Sequence, residues 1–396
     1  MADLEKFRAD TRKWLVDSAP RSIAGTSLGI GEGNWGGRNA AYPNPNLKVW
    51  LDAMAARGWT APEWPTPYGG GGLSKAEAKI LREEMAALRL PAPLVGFGLT
   101  MIGPTLLEYG TEEQKREHLP RITRGEIRWC QGYSEPGSGS DLASLQTRAV
   151  LQGDYYVING QKIWTSYANL SDWMFMLVRT DPNAPKHEGI TFILMDMASP
   201  GVETRPIKLI SGSSPFCETF LTDVMVPAKN VVFTVNHGWT VAKALLNHER
   251  TMIAAAFGPG GGKRRTIRDW AKEYVDFVGE QVADTSLRGR MAQYEMDTLA
   301  FKLTSDRARD AAKAGLPPGS ESSMFKIYGT ELNQRRQELL LSIAGPQSLG
   351  WEGPGFQERE LTLTRDWLRS RGNTVEGGTS EVQLNIIAKR VLGLPD

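Results

Sequence analysis

Apolar positions along this chain recur at two different spacings, and the change between them divides it into three parts. Through residues 1–128 the spacing is helical, interrupted by Gly/Pro-rich joints. Leu4, Phe7 and Trp14 give the N-terminus an amphipathic helical face. Joints fall at Gly25–Pro45 and at Trp64–Gly72, where the chain reads WPTPYGGGG. Ser74 then lies three residues before Glu77, the spacing of a capping box. It opens a helix in KAEAKILREEMAALRL, a run of strong helix formers. A further helix begins near Thr111 with TEEQKREHL.

The pattern changes near residue 129. Residues 153–235 hold short runs rich in Val, Ile, Tyr, Phe, Trp and Thr: DYYVI, KIWTSY, WMFMLVRT, GITFILMDM and ETFLTDVMV. Such runs predict strands of a small barrel or sandwich. Asn159-Gly160, between VI and QKI, is a hairpin signal. From Trp239 onward the spacing is helical again, with Gly/Pro breaks at 258–262, 315–319 and 345–355. Helices, then strands, then helices predict an α+β multidomain chain rather than alternating βαβ units. Its expected parts are an α-helical domain over 1–128, a β-barrel over 129–236 and a helical domain over 237–396.

Composition removes several classes of function. The chain has 396 residues, with 46 Lys and Arg against 45 Asp and Glu, so nothing favours nucleic acid or an anionic membrane surface. Two cysteines, Cys130 and Cys217, exclude a disulfide scaffold and argue against a thiolate metal site. The four histidines have no ligand-like spacing. No apolar run approaches the ~18–20 residues of a membrane span, and the N-terminus does not read as a signal peptide. A cytoplasmic protein is expected. No GxGxxG opens a helix after a strand, so a nicotinamide-binding unit is not indicated.

Four stretches could carry chemistry. Residues 133–141 read YSEPGSGSD, with glycines that permit close backbone approach and serines that offer hydroxyls. Taken alone, this is also an ordinary surface loop. Trp164 and Ser166 alternate on a predicted strand and so share a face, where Trp164 either walls a ligand or only packs. Glu249, in LLNHERTMIAAAF, shares a helical face with Leu245, Leu246 and Ile253. Desolvation on such a face raises a carboxyl pKa, which suits a base for a weakly acidic C–H proton. The alternative is a structural Glu paired with a neighbouring cation. The fourth stretch, EGGTSEVQ at 376–383, places a Gly pair before a helix, with Ser380 and Gln383 at capping-box spacing. Free N–H groups there favour an anionic or polar ligand, or simply start a helix.

WPTPYGGGGLS (64–74), GTEEQKREHLP (110–120), YSEPGSGSD, NGQKIWTS and EGGTSEVQLNIIAKRVLG (376–393) occur in the order found in acyl-CoA dehydrogenases, and the chain resembles that family over most of its length. The resemblance implies an α-helical N-terminal domain, a central β-barrel and a C-terminal four-helix bundle. It implies FAD as cofactor, an acyl-CoA substrate and electron-transferring flavoprotein as acceptor. Carried onto this sequence, it assigns Gln131, Tyr133 and Ser134 to the flavin ring. Trp164 would lie beside that ring, and Ser166 near its N5. Ser140 would contact the CoA phosphopantetheine, and Arg250 would help hold the CoA portion. Thr379 and Glu381 would approach the pyrophosphate or ribityl chain. Backbone near Glu376–Gly378, including Gly377 and Gly378, would bind the thioester carbonyl.

The chain departs from the family pattern in two places. The catalytic Glu of the usual x-Glu-Gly-Thr motif is replaced by Gly377, with Glu376 one residue away; this moves the expected base to Glu249, the position used by the isovaleryl-CoA type. The segments that reach the FAD of a dimer mate are also altered. VADTSLRGRMAQYE lacks the Phe-Gly, leaving Arg288 and Arg290 as candidates to substitute. In LLSIAGPQSLG only Gly345 aligns well. Such losses resemble two-gene dehydrogenases that assemble as α2β2 tetramers, so the expected assembly is a homo-oligomer or such a hetero-oligomer. The predicted reaction is α,β-dehydrogenation of an acyl-CoA to a trans-2-enoyl-CoA. Two alternatives stay open: a flavin oxidase or monooxygenase on the same fold, and a catalytically inert partner subunit.

Overall fold

The structure is a computed structural model that describes residues 2–26, 33–246, 265–314 and 321–395. It forms two compact units, Met1–Ile207 with Pro215–His248, and Lys208–Ser214 with Glu249–Asp396. Glu249 and Arg250 lie outside the described residues.

The first unit begins with α1 (Ala2–Ser18), α2 (Pro45–Ala56), α3 (Lys75–Ala87), α4 (Gly103–Tyr109) and α5 (Glu112–Thr123). Both predicted helix starts are present. Ser74 exchanges hydrogen bonds with Glu77 to open α3, and Thr111 does the same with Gln114 to open α5. These boxes occupy N–H groups that have no partner inside the helix. Leu15, Trp50, Met54, Trp59 and Leu81 share one core. At its edge, buried Glu84 accepts hydrogen bonds from Arg8 at 2.7 Å and Arg12 at 2.8 Å, fastening α1 to α3.

The strands of this unit are β1 (Trp129–Gly132), β2 (Arg148–Gln152), β3 (Tyr155–Ser166), β4 (Trp173–Arg179), β5 (Ile190–Asp196), β6 (Val202–Ile207) and β7 (Phe216–Pro227). They form one seven-stranded sheet in the order β1-β4-β2-β3-β7-β6, with β5 paired to β4. All seven residues of β4 are buried, which explains why WMFMLVR shows no alternation: both faces are covered. The helical segment 238–246 (α6) follows.

One sequence expectation fails here. Asn159-Gly160 is not a hairpin turn, because β3 runs unbroken through it and pairs with β7 on both sides. The register shifts between Ile158 and Gly160, so the pair marks a bulge. Gly160 has φ +153°, and a Cβ there would lie 2.7 Å from Thr147 Cα. The glycine serves a close tertiary approach rather than a turn. The hairpin lies earlier, with Gly153 and Asp154 joining Gln152 to Tyr155.

The second unit is built around α9 (Glu321–Ala344), which packs against α7 (Ile267–Tyr274), α8 (Thr285–Lys313), α10 (Glu358–Ser370) and α11 (Ser380–Arg390). Its core includes Trp270, Leu287, Met291, Leu339, Ile343 and Leu363. The C-terminal region is not wholly helical as expected, because Phe277–Val278 (β8) and Gln281–Val282 (β9) form a small hairpin at Gly279-Glu280. No helix among the described residues is long and apolar enough to cross a membrane.

Candidate active site

The 133–141 loop leaves the end of β1 and is fixed to β3 by its own backbone. Ile163 N–H donates to the Ser134 carbonyl at 2.9 Å, and Glu135 and Ser138 exchange two backbone hydrogen bonds at 3.1 and 3.0 Å. The stronger anchor is a residue that sequence reasoning passed over. Lys162, fully buried in β3, donates to Glu135 Oε1 at 2.7 Å, the Leu177 carbonyl at 2.7 Å and the Tyr133 carbonyl at 3.2 Å. Glu135 also accepts from the backbone N–H groups of Gln146 at 2.6 Å and Thr147 at 2.9 Å.

Burial alone would raise the Glu135 pKa, but the Lys162 charge and these hydrogen bonds outweigh it and hold the carboxyl below its ordinary value. Arg179, at the end of β4, adds a second clamp by donating to the carbonyls of Ala143 at 2.6 Å and Leu145 at 3.3 Å. Glu135 lies in YSEPGSGSD and Lys162 in NGQKIWTS. Only the sheet's pairing brings them together.

The side chains on the open side of this clamp remain available. Ser134 and Ser166 are half-buried, and their hydroxyls form no hydrogen bond among the described residues. Trp164 lies within a second bulge of β3, with φ +59°; the residue is 53 % exposed and its ring meets Phe216 edge-on at 6.1 Å. Trp164 and Ser166 face away from the core while Thr165 between them is buried. Gly137 and Gly139 face open space, since a Cβ on either would meet no heavy atom within 4 Å. Gln131 is half-buried in β1. Tyr133 is buried against Phe175 and Phe192, and Ser140 is exposed.

In the second unit, Gly377 and Gly378 take φ +64° and +87°, and the chain then enters α11. The cap is Thr379 rather than the expected Ser380; its hydroxyl accepts from Val382 N–H at 3.2 Å. A Cβ on Gly378 would lie 2.6 Å from Gln383 Nε2. Glu376 is held by Arg369 at 2.7 Å and by the Asn373 side chain. Glu381 is exposed, and backbone hydrogen bonding at its own N–H, with Thr379, lowers its pKa. Gly345 ends α9 at φ +54°. Arg288 is spent on Gln281 at 2.9 Å and Arg290 on Ser342 at 3.2 Å.

Lys326 of α9 was missed by sequence reasoning. It is 7 % exposed, and its Nζ has no hydrogen-bond partner among the described residues. Burial pushes its pKa down, opposed only in part by the charges of Glu376 and Glu381.

Comparison with known proteins identifies the scaffold. The acyl-CoA dehydrogenase N-terminal, middle and C-terminal domains match residues 31–126, 130–224 and 236–392 in turn. The chain belongs to the acyl-CoA dehydrogenase family. It is 36% identical over its whole length to the acyl-CoA dehydrogenase IpdE1 of Mycobacterium tuberculosis, covering 99% of that protein. It is 38% identical over 90% of its length to the acyl-CoA dehydrogenase FadE34 of the same organism, but spans only 47% of that longer protein. Among solved structures, the Tcur3481-Tcur3483 steroid ACAD matches with a TM-score of 0.75 and 32% identity, covering all of this chain and 98% of that one. The ChsE4-ChsE5 complex from Mycobacterium tuberculosis matches at 0.72 and 30% identity, with the same coverage. The family places the chain among oxidoreductases acting on acyl-CoA.

Proposed function

We propose that this chain is the FAD-binding, catalytic subunit of an acyl-CoA dehydrogenase. The observation that carries the reading is the clamp between the 133–141 loop and β3, which brings the free hydroxyl of Ser134 close to exposed Trp164 and Ser166. A planar, polar-edged ring needs such an arrangement: unpaired hydroxyls for its edge, an aromatic wall, and glycines with nothing above them. These residues therefore fit a flavin, and Gln131, Ser134, Trp164 and Ser166 would hold its ring. Thr379, Glu381 and Gly345 are assigned to the rest of the cofactor by resemblance. When bound, FAD supplies the two-electron acceptor that turns an acyl-CoA into a trans-2-enoyl-CoA and passes electrons to electron-transferring flavoprotein.

The remaining work belongs to the protein's own groups. Glu249 takes the α-proton of the thioester. Backbone N–H groups at Gly377 and Gly378 stabilise the enolate-like oxygen as charge develops on it. Ser140 and Arg250 hold the CoA portion, and Trp164 keeps water from the reacting face. Glu376 is not the base, because Arg369 and Asn373 already occupy its carboxylate. In this proposal the helical N-terminal, β-barrel and helical C-terminal domains span 1–128, 129–236 and 237–396.

Anaerobic stopped-flow with a panel of short, long, branched, dicarboxylic and steroid-derived acyl-CoAs tests it. Bleaching of the flavin by at least one thioester is expected. Glu249→Gln should slow that reduction by ~10²–10⁴-fold, the usual loss for a general base, with flavin retained and Glu376→Gln far less affected. Near wild-type reduction by Glu249→Gln would reverse or remove the assignment.

The altered mate-contacting segments and the ChsE4-ChsE5 relative favour assembly with a homologous second subunit. Mass photometry with and without a co-expressed partner checks this; a fully flavinated homo-oligomer would remove the partner.

A further inference from the structure

The Gly377–Gly378 turn is fastened at both ends, and the peptide between the two glycines is held at one point only. Upstream, Glu376 N–H donates to the Gly372 carbonyl at 3.0 Å. The Glu376 carboxylate is tied to Arg369 and to Asn373, and Asn373 accepts from Asn333 of α9 at 2.8 Å. Downstream, Thr379 caps α11. Between these anchors, Gln383 Nε2 donates to the Gly377 carbonyl at 3.4 Å. The turn lies directly on this amide, since a Cβ on Gly378 would be 2.6 Å from Nε2. The N–H groups of Gly377 and Gly378 have no acceptor among the described residues.

Gln383 carries a mark that packing does not explain. It is 2 % exposed, yet its Oε1 has no hydrogen-bond partner among the described residues. A buried acceptor without a donor destabilises a fold, so an apolar side chain of the same size would serve stability as well or better. The amide cannot turn over to relieve this, because Oε1 would then face the Gly377 oxygen. Its spacing from Ser380 suits a capping box, but the cap is Thr379 and the amide reaches past the helix to the turn.

Peptide geometry supplies a reason to keep it. In a trans peptide the carbonyl and the N–H point in opposite directions. Holding the Gly377 carbonyl against the buried amide therefore aims the Gly378 N–H away from Gln383. Gly377 and Gly378 have φ +64° and +87°, and glycine on both sides lets the plane between them turn over at little steric cost. The flipped plane would present a carbonyl oxygen where the N–H had been. Gln383 disfavours that state, because it would bring two donors face to face. Donation to the carbonyl also polarises the same amide and strengthens its N–H as a donor.

We propose that Gln383 is a positioning residue for the thioester oxygen: by holding the Gly377 carbonyl, it keeps the Gly378 N–H aimed at the charge that develops during α-proton removal. This rests on the acyl-CoA dehydrogenase reading, in which the N–H groups of this turn stabilise that oxygen. Gln383 acts through the peptide plane and not by touching the substrate.

The test is Gln383→Met in the flavin-loaded protein, which keeps the size of the side chain and removes its donor. Three quantities are read. The first is the melting temperature. The second is anaerobic flavin reduction by each thioester of the panel, resolved into limiting rate and half-saturation. The third is the infrared carbonyl stretch of the bound enoyl-CoA product of the fastest thioester, labelled with carbon-13 at that carbonyl.

Melting should be unchanged or higher, since an unpaired buried acceptor is lost. The limiting rate should fall by up to ~10²-fold, the loss that a misplacement of about 1 Å can cause. Half-saturation should move little, because the N–H serves developing charge more than the ground state. The carbonyl stretch should rise toward its value in free product, because the hydrogen bond that lowers it is weakened. A Gln383→Met protein that melts well below wild type, whatever its rate, marks Gln383 as a packing residue and overturns the proposal. One that reduces its flavin at the wild-type rate with an unmoved stretch also overturns it, and the dehydrogenase reading then stands. If no thioester of the panel reduces the wild-type flavin, both fall.

Discussion

Lys162 and Lys326 are both buried lysines, and they are opposites. Lys162 uses all three ammonium hydrogens, on Glu135, Leu177 and Tyr133. Lys326 uses none on any described residue. The first is the kind of buried charge a fold accepts: paired with a carboxylate that is itself saturated by backbone N–H groups. The second is the kind a fold excludes unless something else requires it, because a buried donor without an acceptor costs about 1–3 kcal/mol. In the first unit, then, buried charge builds the scaffold that presents Ser134 and Trp164. In the second, it is held beside Glu376 and Glu381, next to the glycine turn that opens α11.

The largest effect should come from breaking the satisfied pair. Lys162→Met leaves the Glu135 carboxylate buried without its counter-charge, which costs about 3–5 kcal/mol. At ~2–4 °C per kcal/mol for a unit of this size, Tm should fall by roughly 6–20 °C. Glu135→Gln should cost less, because the amide oxygen can still accept from Gln146 or Thr147. The pH dependence separates the two residues. The Glu135 pKa is lower folded than unfolded, so its contribution is full above the unfolded value and is lost as pH falls through the folded one. Calorimetry from neutral to acid pH should show that loss in wild type and a shallower one in Glu135→Gln. Equal slopes, or a Lys162→Met protein that melts like wild type, would mean the clamp is not what holds the loop.

How much of this could be read in advance depends on how local each signal is. The helix starts at Ser74 and Thr111 were legible because a capping box closes within four residues. Asn159-Gly160 was misread because the same dipeptide serves a local turn and a close approach to Thr147, and only the pairing of β3 distinguishes them. At 379–380 two adjacent hydroxyls compete for one cap, and the helix takes Thr379. The flavin-loop motif was visible, but its fastening to Lys162 spans 27 residues of sequence. Lys326 gave no signal at all. A lysine on a helix reads as solvated until its surroundings are known, and nothing in SSMFKIYG says that its ammonium is enclosed.

Replacing the unsatisfied lysine should have a smaller effect of opposite sign. In the flavin-free protein, Lys326→Met removes a buried donor with no described partner and should raise stability by about 1–3 kcal/mol at neutral pH. The Lys326 pKa is lower folded than unfolded. Its penalty is therefore full below the folded value and fades as pH rises toward the ordinary lysine value of ~10.4. Melting of wild type and variant should differ most near pH 7 and converge toward pH 10. The same substitution should weaken flavin retention, because the ammonium adds positive charge beside the α11 N-terminus, where free N–H groups and the helix dipole already favour an anion. Stabilisation together with flavin loss is the outcome that marks Lys326 as kept for a ligand, since a packing lysine would lose both or neither. A variant that melts lower than wild type and keeps its full flavin complement would show that Lys326 belongs to the scaffold, like Lys162, and would remove the contrast between them.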